Sequence, residues 1–155
     1  MAGHIDHEAL ITAATEAHGR AYAPYSHFHV GAALLGESGR IYRGCNVENV
    51  SYGLTSCAER NAAFGAVLEG ERWFRAVAVV TGADTPTAPC GACRQVLVEF
   101  APSGDMEVVL ATLGGARQVT TLGALLPLSF REFSPTDRSD PSDPSDLSEE
   151  MSDRP

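Results

Sequence analysis

A chain of 155 residues with an apolar fraction of 44% has the size and composition of one globular domain with a single substantial core. Its formal net charge of −9 and complete lack of lysine exclude the basic track with which nucleic-acid binders neutralise phosphates. A small, nearly neutral ligand is the expected partner. No segment approaches the roughly 18 apolar residues that span a bilayer. Met1 to Glu8 shows no basic region leading into an apolar run, so neither a signal peptide nor membrane attachment is expected, and the chain is assigned to the cytoplasm. Thiols stay reduced there, and clustered cysteines point to metal or catalysis more than to disulfides.

The first helix is predicted from Asp6, as N-cap, to about Tyr22, with Leu10, Ile11, Ala14 and Ala17 at helical spacing and Pro24 blocking continuation. His29–Leu35 and Arg40–Arg43, separated by a Glu-Ser-Gly turn, predict a β-hairpin. Cys57 to about Glu69 carries strong helix formers and is closed by Gly70. Phe74–Thr81 reads as a buried strand, Cys90–Phe100 as a helix and Met106–Thr112 as a strand. A short strand over Gln118–Thr121 and a short helix over Thr121–Leu126, stopped by Pro127, complete the order. The fold class expected is α/β: a three-layer α/β/α sandwich on a mixed, five-stranded sheet, with an antiparallel first pair and parallel later crossovers.

Residues 1–136 hold this domain. From Asp137 to Pro155, seven acidic residues and two arginines give −5, more than half the net charge, in a Ser/Asp/Pro pattern with only Leu147 and Met151 apolar. Such a segment cannot bury enough surface to offset its ordering entropy, and a disordered tail is expected.

The chemistry concentrates at Cys57-Ala-Glu59-Arg60 and Pro89-Cys90-Gly-Ala-Cys93-Arg94. Cys90 and Cys93, at i and i+3 of a first helical turn, point the same way. The positive helix terminus favours the thiolates that zinc requires. Cys57 can supply a third thiolate if the two helix starts converge, and parallel strands feeding both helices would bring them together. Three protein ligands leave a position open for water, the mark of a catalytic site. A closed four-cysteine site including Cys45, or a redox pair at Cys90 and Cys93, are the alternatives. Neither explains Glu59, two residues after Cys57, where a carboxylate can accept a proton from water and return it to a substrate nitrogen. The pattern Cys-x-Glu followed by Pro-Cys-x-x-Cys is that of zinc deaminases. Three thiolates leave excess negative charge on the ion. Arg60 is expected to offset it from just outside the ligand set, in preference to Arg94.

These motifs, with Ala23-Pro-Tyr-Ser-His-Phe-His-Val-Gly-Ala-Ala-Leu34, Gly44-Cys-Asn-Val-Glu-Asn49, Tyr52 and Leu125-Leu-Pro-Leu-Ser-Phe130, resemble the short, homotetrameric cytidine deaminases over about residues 8 to 130. The resemblance implies Zn²⁺ as cofactor and a free nucleoside as substrate: cytidine and deoxycytidine are hydrolysed to uridine and deoxyuridine with release of ammonia, in pyrimidine salvage. It casts Asn46 and Glu48 as the pair bracketing the ribose 3′-hydroxyl. Phe28 becomes a wall of the base pocket, and the Ala58 N–H a donor to the pyrimidine carbonyl. Tyr52 and Phe130 resemble residues that enter a neighbouring subunit's site, so that active sites are shared. His29, Asn61 and Leu128 depart from the commonest family pattern without removing a catalytic group. A deaminase of a modified cytosine nucleoside such as blasticidin S is the nearest alternative, and a structural zinc module the alternative of another class. The Asn46/Glu48 pair favours cytidine over the first, and Glu59 argues against the second.

Overall fold

The computed structural model describes residues 4–101 and 103–132. The 137–155 tail, and with it the boundary at residue 136, lies outside them. Helices α1 (His7–His18), α2 (Ala58–Leu68), α3 (Gly91–Glu99) and α4 (Leu122–Leu125) alternate with strands β1 (Val30–Gly36), β2 (Ile41–Cys45), β3 (Phe74–Thr81), β4 (Glu107–Thr112) and β5 (Arg117–Thr121). Asp6 caps α1 by accepting from the Ala9 N–H at 3.0 Å. The helix stops at His18 rather than near Tyr22. Gly19 closes it, and the Tyr22 N–H donates instead to the Asn46 carbonyl, with Tyr22 and Val47 forming a bridge. Tertiary pairing outweighs local helix propensity there.

Among the described residues the sheet has five strands in the order β2-β1-β3-β4-β5. Strands β3 and β4 pair in parallel; β1 is antiparallel to both β2 and β3, and β5 is antiparallel to β4. The expected mixed sheet is present, and both crossovers are parallel, although β1 lies between β2 and β3. Because β2 and β3 run the same way, the segments that leave their ends emerge at one edge of the sheet. Helices α2 and α3 both begin there.

Side chains alternate between the faces, as a pleated strand requires. Leu34, Val77, Val79, Val108 and Leu110 pack under α2, α3 and α4. Leu35, Ala78, Val80 and Val109 pack under Leu10 and Ala14 of α1. Helices therefore cover both faces of the sheet, making the three layers. Two glycines set the spacing. A Cβ on Gly31 would lie 1.9 Å from the Ala14 carbonyl oxygen of α1. One on Gly44 would lie 2.3 Å from the Ala58 carbonyl oxygen and 2.4 Å from the Ala62 nitrogen. Gly44 thus lets the first turn of α2 rest directly on β2.

Gly44→Ala must push that turn outward. Overpacking of this kind costs about 1–3 kcal/mol, and the displaced turn carries Cys57 and Glu59. Lower stability in chemical denaturation, together with reduced zinc content, is the expected outcome.

Candidate active site

Cys57 occupies the N-cap of α2 and Cys90 the N-cap of α3, each with extended backbone, and Cys93 lies in the first turn of α3. The three Sγ atoms all fall within 4.8 Å of one another. Cys57 and Cys90 are 3.8 Å apart and Cys90 and Cys93 3.5 Å apart. Tetrahedral zinc with Zn–S bonds of about 2.3 Å requires S···S edges of about 3.8 Å, so the thiols fit such an ion with little adjustment. Cys45 is not in the cluster; its thiol donates to the Arg20 carbonyl at 3.4 Å. The four-cysteine arrangement is therefore not formed.

The thiols perturb one another as one unit. A hydrogen bond from Cys93, reinforced by Arg60 and Cys90, brings the Cys57 thiol down to about 5. Its counterpart, Cys93, is pushed up by the same hydrogen bond and by burial. Arg60 places an N–H of its guanidinium 3.5 Å from the Cys57 sulfur and 3.4 Å from the Thr55 carbonyl. Its Nε is buried without a hydrogen-bond partner among the described residues. Arg94 is engaged elsewhere, donating to the carbonyls of Pro89 and Leu125 at 2.7 Å. Of the two arginines, Arg60 is the one at the sulfurs.

A cavity of about 280 Å³ opens beside the thiols, lined among others by Phe28, Asn46, Glu48, Ala58 and Glu59. Glu59 is only 4% exposed, and burial pushes its carboxyl above the usual carboxylate range, with the charge of Cys57 acting in the same direction. A carboxyl so placed can hold a proton and release it within one reaction cycle. Ala58 is the first residue of α2, where a helix leaves its N–H without an intrahelical acceptor.

Asn46 carries a second task. Its amide oxygen accepts from the Val30 N–H and its amide nitrogen donates to the Phe28 carbonyl, both at 2.8 Å. One donor and one acceptor position remain. Glu48 accepts from the Tyr25 and Ser26 N–H groups at 2.9 and 3.2 Å and from the Ser26 hydroxyl. These bonds, that of the hydroxyl foremost, hold its carboxyl below the usual range. Three of about four acceptor positions are taken. The pair thus has spare capacity to receive a hydroxyl as donor at Glu48 and as acceptor at Asn46.

Tyr52 and Phe130 do not line this cavity; they are 75% and 59% exposed. His29 does not line the cavity either; its ring lies 5.7 Å from that of His18. Asn61 donates to the Cys45 carbonyl and accepts from the Ser56 hydroxyl, joining β2 to α2. Sequence reading missed Ser26, Thr55, Thr81 and Thr87 as cavity residues. Ser26 lies within a quoted motif and could have been found from it. The threonines carry no pattern that separates them from strand and loop residues.

A family model described as the cytidine and deoxycytidylate deaminase zinc-binding region matches residues 4–112. The chain belongs to this deaminase family. Cytidine deaminase of Sporosarcina psychrophila is 52% identical over 126 residues, covering 81% of this chain and 92% of that protein. The crystal structure of cytidine deaminase from Burkholderia pseudomallei matches with a TM-score of 0.77 at 52% identity, over 81% of this chain and 100% of that one. The corresponding structure from Mycobacterium tuberculosis matches with a TM-score of 0.72 at 41% identity, over 83% and 100%. This deaminase-family chain is an enzyme whose cofactor is zinc, and the three-thiol cluster fits that ion. No helix among the described residues is long and apolar enough to cross a membrane.

Replacing Cys57, Cys90 or Cys93 by Ala is expected to abolish zinc retention, measured by elemental analysis, whereas Cys45→Ala should retain about one zinc per chain. Arg60→Ala should bind zinc more weakly, by about 10-fold or more in competition with a chelator, with part of the activity kept.

Proposed function

We propose that this enzyme hydrolyses the 4-amino group of free cytidine and deoxycytidine, giving uridine and deoxyuridine with release of ammonia, in cytoplasmic pyrimidine salvage. The observation that carries the reading is Glu59, buried at the inner wall of the cavity beside the three thiols. Cys57, Cys90 and Cys93 would hold zinc, which when bound acidifies water and so supplies the nucleophile at neutral pH.

The rest of the work falls to the chain's own groups. Phe28 flanks the pyrimidine and the Ala58 N–H donates to its carbonyl. Asn46 and Glu48 bracket the sugar 3′-hydroxyl with the hydrogen-bonding capacity left after their backbone contacts. Ribose and deoxyribose both carry that hydroxyl, so both nucleosides are accommodated. Glu59 takes a proton from water, gives it to ring N3, and carries a second proton to the departing amine. The C4–O bond forms first, with N3 protonated and C4 tetrahedral; the C4–N bond breaks afterwards, once the amine carries its extra proton, and water supplies the oxygen and the two protons gained by the two products.

The cavity lining also argues for nucleosides over nucleotides. Among the described residues it contains Glu48 and Glu59 and no arginine, and the chain has no lysine. A 5′-phosphate would meet carboxylates without a compensating cation. The chain carries large apolar groups on its surface, among them Tyr22, Val50, Tyr52, Leu54, Leu128 and Phe130. Exposure on this scale supports association, here into a homotetramer in which Tyr52 and Phe130 complete a neighbour's site.

Glu59→Gln keeps the shape of the side chain and can still hydrogen-bond, but it cannot accept the proton. With zinc retained, kcat is expected to fall by about 10⁴-fold or more, the upper end for general acid–base catalysis. Loss of absorbance near the cytidine band provides the assay. In the same assay the wild type should turn over cytidine and deoxycytidine and leave deoxycytidylate and blasticidin S nearly untouched. Near-normal turnover by Glu59→Gln would refute the proton-transfer role, and efficient turnover of deoxycytidylate would refute the nucleoside preference.

A further inference from the structure

The loop between α1 and β1 makes a tight turn from Ala23 to His27, through Pro24, Tyr25 and Ser26, just before Phe28. His27 adopts a φ of 58°, in the left-handed region that side chains rarely occupy, and its N–H closes the turn on the Ala23 carbonyl at 3.0 Å. Ser26 stands in this turn, exposed at the rim of the cavity. Its hydroxyl donates to Oε1 of Glu48 and accepts from the Phe28 N–H at 3.0 Å. Both roles of the hydroxyl are used, which fixes its direction.

The two carboxylate oxygens of Glu48 are held differently. Oε2 receives two backbone N–H groups, from Tyr25 and Ser26. On Oε1 the Ser26 hydroxyl is the contact that this chain provides among the described residues. Without that hydroxyl the carboxylate would stay tethered at Oε2 and be free to pivot about it. The acceptor position left on Oε1 would then lose its aim. Phe28, whose N–H donates to the Ser26 hydroxyl oxygen, forms the adjacent wall of the cavity.

We infer that Ser26 is a positioning residue for substrate: its hydroxyl aims the Glu48 carboxylate at the sugar hydroxyl and ties that contact to the Phe28 wall. The inference rests on the reading of Glu48 as the sugar acceptor. It gives specificity for the sugar to a side chain that itself need not touch the substrate.

The test compares deoxycytidine with 2′,3′-dideoxycytidine, which lacks the 3′-hydroxyl. Ser26→Ala should lower kcat/KM for deoxycytidine by about 5- to 20-fold, the scale of one hydrogen bond to a charged group, mainly through KM. For the dideoxynucleoside the same variant should lose less than about twofold, since the aimed contact is missing from that substrate. Ser26→Thr, which keeps the hydroxyl, should restore the wild-type value, and Ser26→Gly should repeat the Ala result as a second removal of the hydroxyl. Equal losses on both substrates, or no loss on either, would overturn the inference. Glu48→Ala separates the two levels of the argument. If it discriminates between the substrates and Ser26→Ala does not, the sugar reading stands and the positioning role fails. If Glu48→Ala also affects both substrates equally, the sugar reading itself fails and the inference with it.

Discussion

The site depends on one steric constraint: the first turn of α2 must lie against β2 with no side chain between them. Gly44 meets it, because any Cβ there would collide with the Ala58 carbonyl and the Ala62 nitrogen. Strands β2 and β3 run in the same direction, so α2 and α3 start at the same edge of the sheet. Contact at Gly44 then sets the depth of Cys57, and the Cys90–Cys93 turn meets it at tetrahedral spacing. The same contact buries Glu59 at the inner wall of the cavity. Ligands, proton carrier and substrate wall all inherit their positions from this packing.

A second set of contacts builds the substrate side. The chain leaving α1 does not continue as helix but pairs with the segment after β2, through Tyr22, Asn46 and Glu48. That pairing brings the Ala23–His27 turn beside the cavity, which Ser26 and Phe28 line. Asn46 pins Phe28 and Val30 at the start of β1, and Glu48 gathers the Tyr25 and Ser26 N–H groups. The residues proposed to bind the sugar therefore also hold the base wall in place. Recognition of the two halves of the substrate is mechanically linked.

Much of this was legible in the sequence, for physical reasons that can be traced. Cys57, Cys90 and Cys93 were readable as a cluster because helix starts and i, i+3 spacing dictate side-chain direction locally. The strand Phe74–Thr81 was readable because a run of β-branched and alanine residues suits a strand buried on both faces. The end of α1 was not, since pairing with residues more than twenty positions away decided it. The place of β1 between β2 and β3 likewise follows from long-range pairing. His29 stood out in the sequence as a departure from the family, and just before β1 its ring packs near that of His18 and does not line the cavity. Ser26 went unnoticed because its importance lies in two hydrogen bonds, one of them to a residue 22 positions on.

Cys57 and Cys90 sit where most helices place Ser, Thr, Asp or Asn, and neither makes a side-chain cap hydrogen bond. Each substitution of a good cap by a poor one costs about 0.5–2 kcal/mol. Two adjacent helices thus begin with their strongest local stabilisation surrendered to metal binding. Selection for thermal robustness alone would favour oxygen-bearing caps at both positions and would destroy the thiol cluster. The pair marks a point where evolutionary pressure for a sturdier fold and pressure for activity pull in opposite directions.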